Sequence, residues 1–363
     1  MAKRLINMLA LLIIPVGLVA MLAMFTTTGT SSGASQRTAS VASGKGFTTL
    51  GTWSDLPVFP NMQLNFGSGA CQGSSGAVPL TLKRSSAVAY PPNGKVYLFG
   101  GRHRADGDDI TSQWIWEYTP GAGSYVQKAA QLDTCAYGTR FAANMASAVL
   151  TDSTGVHIYL VGGSSINSLS TNAVRIYDPI ADTITASSDV WPAAPMRLPG
   201  GYAVYNNKLY IFGGYELKPT STVYSDTWVF DPMAAAGSKW SQIATATLSV
   251  ARTSIGGATL DGYIYAIGGN TVSGVVTTTT TPQTIVERMN PSAGSPTWQT
   301  VASLPGGRGD MGVYAYDTGS GYEIAGKIMV AGGNFPTPDN NTYIYDPVAN
   351  TWTAGVSMSR ARR

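Results

Sequence analysis

The stretch KVYLFGG (Lys95–Gly101) is a short strand pattern closed by two glycines. It returns as HIYLVGG (His157–Gly163), KLYIFGG (Lys208–Gly214), YIYAIGG (Tyr263–Gly269) and KIMVAGG (Lys327–Gly333). A second marker recurs beside it: Arg84, Arg140, Arg197, Arg252 and Arg308 are 56, 57, 55 and 56 residues apart, and a further 54 reaches Arg362. Self-similarity at a fixed period of this length marks a repeat architecture. Each unit opens with a small apolar stretch, such as SSAVAY or TSIGGATL, and then runs through a turn into the strand that ends in Gly-Gly. A polar loop follows, then a strand rich in aromatic and β-branched residues: QWIWEY, AVRIYD, TWVFD, TIVERM or TYIYD. Four of these strands stop at Asp178-Pro179, Asp231-Pro232, Asn290-Pro291 and Asp346-Pro347, the first having Thr119-Pro120 instead. Asp or Asn starts a turn and Pro cannot continue a ladder, so these boundaries are set locally. A last strand begins at Trp240, Trp298 or Trp352.

Four short strands per unit, with no helical periodicity after residue 25, predict an all-β chain of four-stranded antiparallel sheets. At a repeat of about 50 residues such sheets are the blades of a β-propeller. A lone blade exposes two apolar faces, and radial packing against neighbours covers both. The expected blades span approximately 79–133, 140–196, 197–248, 252–305 and 308–358. The units resemble kelch repeats, and the resemblance covers roughly residues 79–358. It implies a kelch-type ring of five to seven blades, often closed by an N-terminal strand. GTWSDLPVF (Gly51–Phe59) reads as a fourth strand without its first three, and SMSRARR (Ser357–Arg363) as the entrance to another blade. The expectation is therefore five recognisable blades plus a stray N-terminal strand, the front of a truncated six- or seven-bladed ring. The alternative is a five-bladed ring with Trp53 packed on its side.

The ends and the composition bound the setting. Lys3 and Arg4 precede an uncharged apolar run, Leu5–Phe25, interrupted by Pro15 and Gly17. Residues 1–34 read as a signal peptide cleaved after Ala34 or as a retained membrane anchor, and both place the body outside the cytoplasm. Residues 35–46 continue a Ser/Thr/Gly/Ala spacer with little to bury, and the propeller occupies 47–363. Only 12% of the residues are charged, and the net charge of +3 comes from basic residues at the two ends, so no nucleic-acid footprint is present. The two cysteines, Cys71 and Cys135, are expected to pair as a disulfide in an oxidising compartment.

The Gly-Gly exits and the periodic arginines share one mouth of the ring, where the loops are longest and most varied. This mouth is the expected binding surface. The candidate ligand-binding residues are Arg84, Arg140, Arg197, Arg252 and Arg308, with His103, Tyr215, Glu216, Asn270, Asn334 and Phe335 around them. Arginine forks suit carboxylate or sulfate and aromatic faces suit sugar rings, whereas an arginine in every repeat is first of all a structural residue. Asp106, Asp108 and Asp109 match no complete calcium loop. No nucleophile triad, phosphate loop or paired-carboxylate motif stands out, so no catalytic or metal residue and no cofactor is expected.

Copper radical oxidases similar to galactose oxidase also use kelch-like propellers, with two histidines, two tyrosines and a Tyr–Cys cross-link. Cys135 and Tyr202 are similar in position to that pair, but residues 203–363 hold no histidine. Copper thus enters only if ligands lie beyond Arg363. The leading expectation is a secreted or cell-surface binding or scaffold protein for a glycan or protein. A carbohydrate-active enzyme is the alternative, and membrane contact depends on a retained N-terminal segment.

Overall fold

The computed structural model describes residues 53–54, 62–63, 77–78, 84–105, 108–111, 113–132, 142–164, 170–217, 221–273, 279–334 and 337–363. The leader, the spacer, Cys71, Cys135, Arg140 and Phe335 lie outside the described residues, as does the side chain of His103. Five four-stranded antiparallel sheets follow one another along the chain, each a simple meander. Blade one is Ser86–Tyr90, Lys95–Phe99, Trp114–Thr119 and Ser124–Gln131. Blade two is Ala146–Asp152, Gly155–Val161, Val174–Asp178 and Thr183–Ala186. Blade three is Leu198–Tyr205, Lys208–Tyr215, Val223–Phe230 and Trp240–Gln242. Blade four is Gly256–Leu260, Tyr263–Ile267, Val286–Met289 and Trp298–Val301. Blade five is Gly312–Tyr316, Lys327–Ala331, Thr342–Asp346 and Thr351–Ala354. The expected all-β propeller with five four-stranded blades is the fold observed.

The second strands show why their sequences run hydrophobic without alternation. Successive side chains of a strand point to opposite faces, and here each face meets another blade. Ile158 and Leu160 pack with Tyr97 and Phe99 of blade one, while Tyr159 and Val161 pack with Leu209 and Ile211 of blade three. Ile264 and Ala266 likewise join blade three, and Tyr265 and Ile267 join blade five. Full burial of each isoleucine, leucine or valine among these is worth about 1.5–3 kcal/mol. Inner strands stay small because they converge on the axis: SAVAY in blade one and GGATL in blade four.

The paired glycines are explained by the next blade. Gly213, Gly268 and Gly332 have φ of +65°, +56° and +64°. A Cβ on each would fall 2.5, 2.4 and 2.5 Å from the carbonyl oxygens of Arg252, Arg308 and Arg362. The second glycine of each pair then donates its N–H to that same carbonyl: Gly214 to Arg252 at 3.1 Å, Gly269 to Arg308 at 2.8 Å, Gly333 to Arg362 at 2.8 Å. Gly-Gly is thus a blade-to-blade joint. It needs both the left-handed backbone and the missing side chain.

The stray N-terminal tryptophan lies against blade five. Trp53 donates its indole N–H to Val356 O at 2.7 Å and packs with Tyr314, Tyr322 and Ile344 over buried Tyr316, Ile324 and Met329.

Candidate functional site

At the Gly-Gly mouth the recurrent arginines turn inward. Arg197 is buried and binds Asp226 through Nη2 at 2.5–2.6 Å, with its guanidinium 4.0 Å from the centre of the Tyr224 ring. Arg252 meets Glu287 at 2.7 Å, both side chains essentially fully buried (0% and 1% exposed). Arg308 donates to Gly332 O at 3.0 Å and to Asp339 at 3.2 Å, and lies 4.6 Å from the Tyr343 ring centre. Each arginine enters its blade from the previous one and binds an acid on, or just before, the third strand of its own blade. Planar forks and aromatic faces suit such buried pairs.

The arithmetic spacing misplaces Arg84. It has φ of +57°, as do Asn144 (+56°), Ser254 (+54°) and Asp310 (+55°), and its carbonyl accepts from Asn144 N as that of Ser254 accepts from Asp310 N. Arg84 therefore matches the residue two beyond Arg252 and Arg308, and is exposed. In blade two the carbonyl that receives Gly101 N belongs to Ala142, at 2.7 Å. The guanidinium of that blade comes from the third strand instead: Arg175, buried, reaches Gly162 O at 3.4 Å. A cation thus lies near the Gly-Gly joint in blades two to five, from the segment before the first strand in three of them and from the third strand in blade two.

The other candidates divide between wall and rim. Glu216 is buried and accepts from the Tyr224 hydroxyl at 3.2 Å; burial and that carboxylate push the Tyr224 phenol up. Asn270 is buried and exchanges backbone hydrogen bonds with Thr253 at 2.7 and 2.9 Å, its side chain filling the place a Cβ on Gly309 would take. Asn334 has φ of +82° and donates its N–H to Gly309 O at 2.7 Å. Tyr215 ends the second strand of blade three, half-buried at the rim. Two loops carry ribbons of their own, Arg102–Ala105 with Asp108–Thr111 and Asn270–Ser273 with Thr279–Pro282.

On the axis lies a cavity of about 450 Å³, bordered by the inner strands of all five blades. Its lining includes the hydroxyl residues Ser147 and Tyr202, 3.4 Å apart, with Thr259, Tyr314 and Tyr316; the rest is Ala, Gly, Val, Ile and Met. Burial raises the Tyr314 and Tyr316 phenols, so both stay neutral at ordinary pH. Among the described residues no group of three or more His, Cys, Asp or Glu could hold a metal ion.

The kelch motif model matches residues 196–247 and 323–359, which cover blade three and most of blade five. The chain is a β-propeller in which two segments match the kelch motif. A solved structure titled "Structure of YjhT" is similar to it with a TM-score of 0.60 at 13% identity, over 76% of this chain and 84% of that one. No curated protein matches the chain by sequence. Likeness at this identity concerns the fold, and a kelch propeller hosts its function in its own loops and walls.

Two blades are also stapled to their neighbours at the outer turns by residues that spacing did not reveal. Asp182 (φ +52°) accepts from Ala129 N of blade one at 2.9 Å and from the Tyr177 hydroxyl at 2.9 Å. Asn350 (φ +53°) accepts from Ala302 N of blade four at 2.9 Å and from the Tyr345 hydroxyl at 2.8 Å. The signal was present as DPIADT (Asp178–Thr183) and DPVANT (Asp346–Thr351). At the far end of blade two His157 stands between Asp152 (3.1 Å) and Asp178 (4.0 Å), away from the Gly-Gly mouth.

Proposed function

We propose that this propeller is a binding protein working outside the cytoplasm, which meets a glycan or protein partner with the loops at its Gly-Gly mouth. The observation that supports it is the division of labour at that mouth. The buried arginines Arg197, Arg252 and Arg308 hold acids of their own blades, so what faces a partner is the set of unlike loops between the second and third strands. A rigid ring with variable loops at one end suits recognition by surface complementarity. Export of the body follows from the leader's pattern of charge and apolar run.

The test uses the exported chain on an array of neutral and acidic glycans and in capture of cell-surface proteins. Thr222→Lys with Thr337→Lys places charge on two mouth loops, and Thr318→Lys places it on a hairpin at the opposite end. A partner whose affinity falls at least about tenfold (about 1.4 kcal/mol) for the mouth variant and is unchanged for the hairpin variant supports the reading. Equal loss in both, or loss only at the hairpin, defeats it.

A further inference from the structure

The axial cavity stands apart from the mouth loops, and its walls have the make-up of a site for a small molecule. It runs from the mouth ends of the inner strands, at Ile255 and Met311, to their far ends, at Thr259 and Tyr316. Its volume of about 450 Å³ falls within the ~300–1,000 Å³ of ligand pockets. Among the described residues that border it there is no Asp, Glu, Lys, Arg or His. An ionised ligand would give up its water there and meet no counter-charge. Small apolar side chains, among them Ala87, Ala89, Ala258 and Val313, favour an occupant that is mainly hydrocarbon.

The hydroxyls narrow the chemistry further. Two are committed elsewhere: Thr259 donates to Val204 O at 2.8 Å, and the Tyr316 hydroxyl lies 4.0 Å from Met329 Sδ of its own blade. The other three, on blades two, three and five, are under-bonded. Ser147 Oγ stands 3.5 Å from Ala87 O and 3.4 Å from the Tyr202 hydroxyl, both long beside the ~2.7–2.8 Å usual for a hydroxyl donor. Tyr202 has no other hydrogen bond among the described residues, and the Tyr314 hydroxyl has none. Ser147 is only 5% exposed, and a hydroxyl enclosed in a fold ordinarily finds a partner.

We propose that the axial cavity binds an uncharged ring compound, mainly hydrocarbon, that carries one or two hydroxyl or carbonyl groups. Its ring lies against the alanine and valine side chains, and its polar group completes the hydrogen bonding of Ser147, Tyr202 and Tyr314. Each of these hydroxyls can donate or accept, so either polar group suits them.

The probe is β-naphthol, uncharged at neutral pH, titrated into the full chain by calorimetry and followed by saturation-transfer NMR. A dissociation constant of about 1 mM or tighter is expected. Ser147→Ala and Tyr314→Phe each remove one hydroxyl and are expected to weaken binding about two- to tenfold. Ala87→Leu fills the space and is expected to abolish binding; should that variant not fold, the other two decide. β-Naphthalenesulfonate, with the same rings and a charge, and methyl glucoside, with hydroxyls and no hydrocarbon ring, are expected not to bind. Thr222→Lys with Thr337→Lys on the mouth loops is expected to leave naphthol binding unchanged, so failure at the cavity and failure at the mouth are told apart. Absence of naphthol binding, sulfonate binding as tight as naphthol, or an affinity indifferent to the cavity variants overturns the proposal. So does a loss confined to the mouth variant.

Discussion

At the scale of single residues the ring is held by positions where one atom decides. Gly262 and Gly268 show the contrast, since both have positive φ (+82° and +56°) but only Gly268 meets another blade. Gly262→Ala is expected to cost about 1–2 kcal/mol, the left-handed backbone penalty alone. Gly268→Ala adds overlap with Arg308 O, which is backbone and cannot swing aside, for about 1–3 kcal/mol more. Urea midpoints of the two variants measure the difference, and equal losses would remove the joint from the account. Asp152 decides the acid behaviour of blade two. Burial opposes its charge, yet the hydroxyl and amide of Thr154, the Tyr159 hydroxyl and His157 together hold its carboxyl well below the usual carboxylate range. A depressed carboxyl stabilises fully above the range where the unfolded chain ionises, and that stabilisation is lost as pH falls through it toward the folded value. Asp152→Asn is therefore expected to lower stability near neutrality and to flatten its fall below about pH 4, read by thermal melts across pH.

At the scale of strands and turns, much of the architecture was legible and the pairing chemistry was not. The Gly-Gly strands and the Asp-Pro turns announce themselves because their cause is local: the side chain of Asp346, for example, accepts from Val348 and Ala349 N at 3.0 Å each. The partner of Gly268 lies forty residues on, at Arg308, so spacing located the glycine without revealing what it touches. Counting arginines alone put Arg84 in the wrong phase, because a period carries no information on which backbone atoms are bonded. The candidate mouth was legible as a place, whereas the partners Asp226, Glu287 and Asp339 were not, each lying 29 to 35 residues beyond its arginine. The Arg252–Glu287 pair is the sharpest case. Burial works against the Arg252 charge and lowers its pKa, while the carboxylate beside it restores the cation. Glu287→Ala leaves that cation alone in the blade and is expected to cost about 3–5 kcal/mol, whereas Arg252→Met with Glu287→Leu recovers most of it. If the double variant is as weak as the single one, packing and not charge isolation is the cause, and chemical denaturation distinguishes the two.

At the scale of the whole molecule the ring behaves as a chain of neighbours. Its apolar clusters join blades one and two, two and three, three and four, and four and five, and each is built from the facing sides of adjacent sheets. Repeats that touch only their neighbours have stabilities that are approximately sums of unit and interface terms. Ile211 lies in the interface of blades two and three and Ile328 in that of blades four and five, both fully buried. Ile211→Val and Ile328→Val are each expected to cost about 0.5–1.5 kcal/mol. With blade four's own back face standing between the two sites, their losses should add within about 0.5 kcal/mol. Ile211→Val with Phe212→Leu gives the comparison, because these side chains leave opposite faces of one strand and burden the two interfaces of blade three at once. Unfolding by urea, followed by tyrosine and tryptophan fluorescence and by far-ultraviolet dichroism, reads both pairs. Additivity in the distant pair with coupling in the adjacent pair supports a ring whose stability passes from blade to blade. Strong coupling in the distant pair would mean that the ring acts as a single closed unit, with strain carried around the axis.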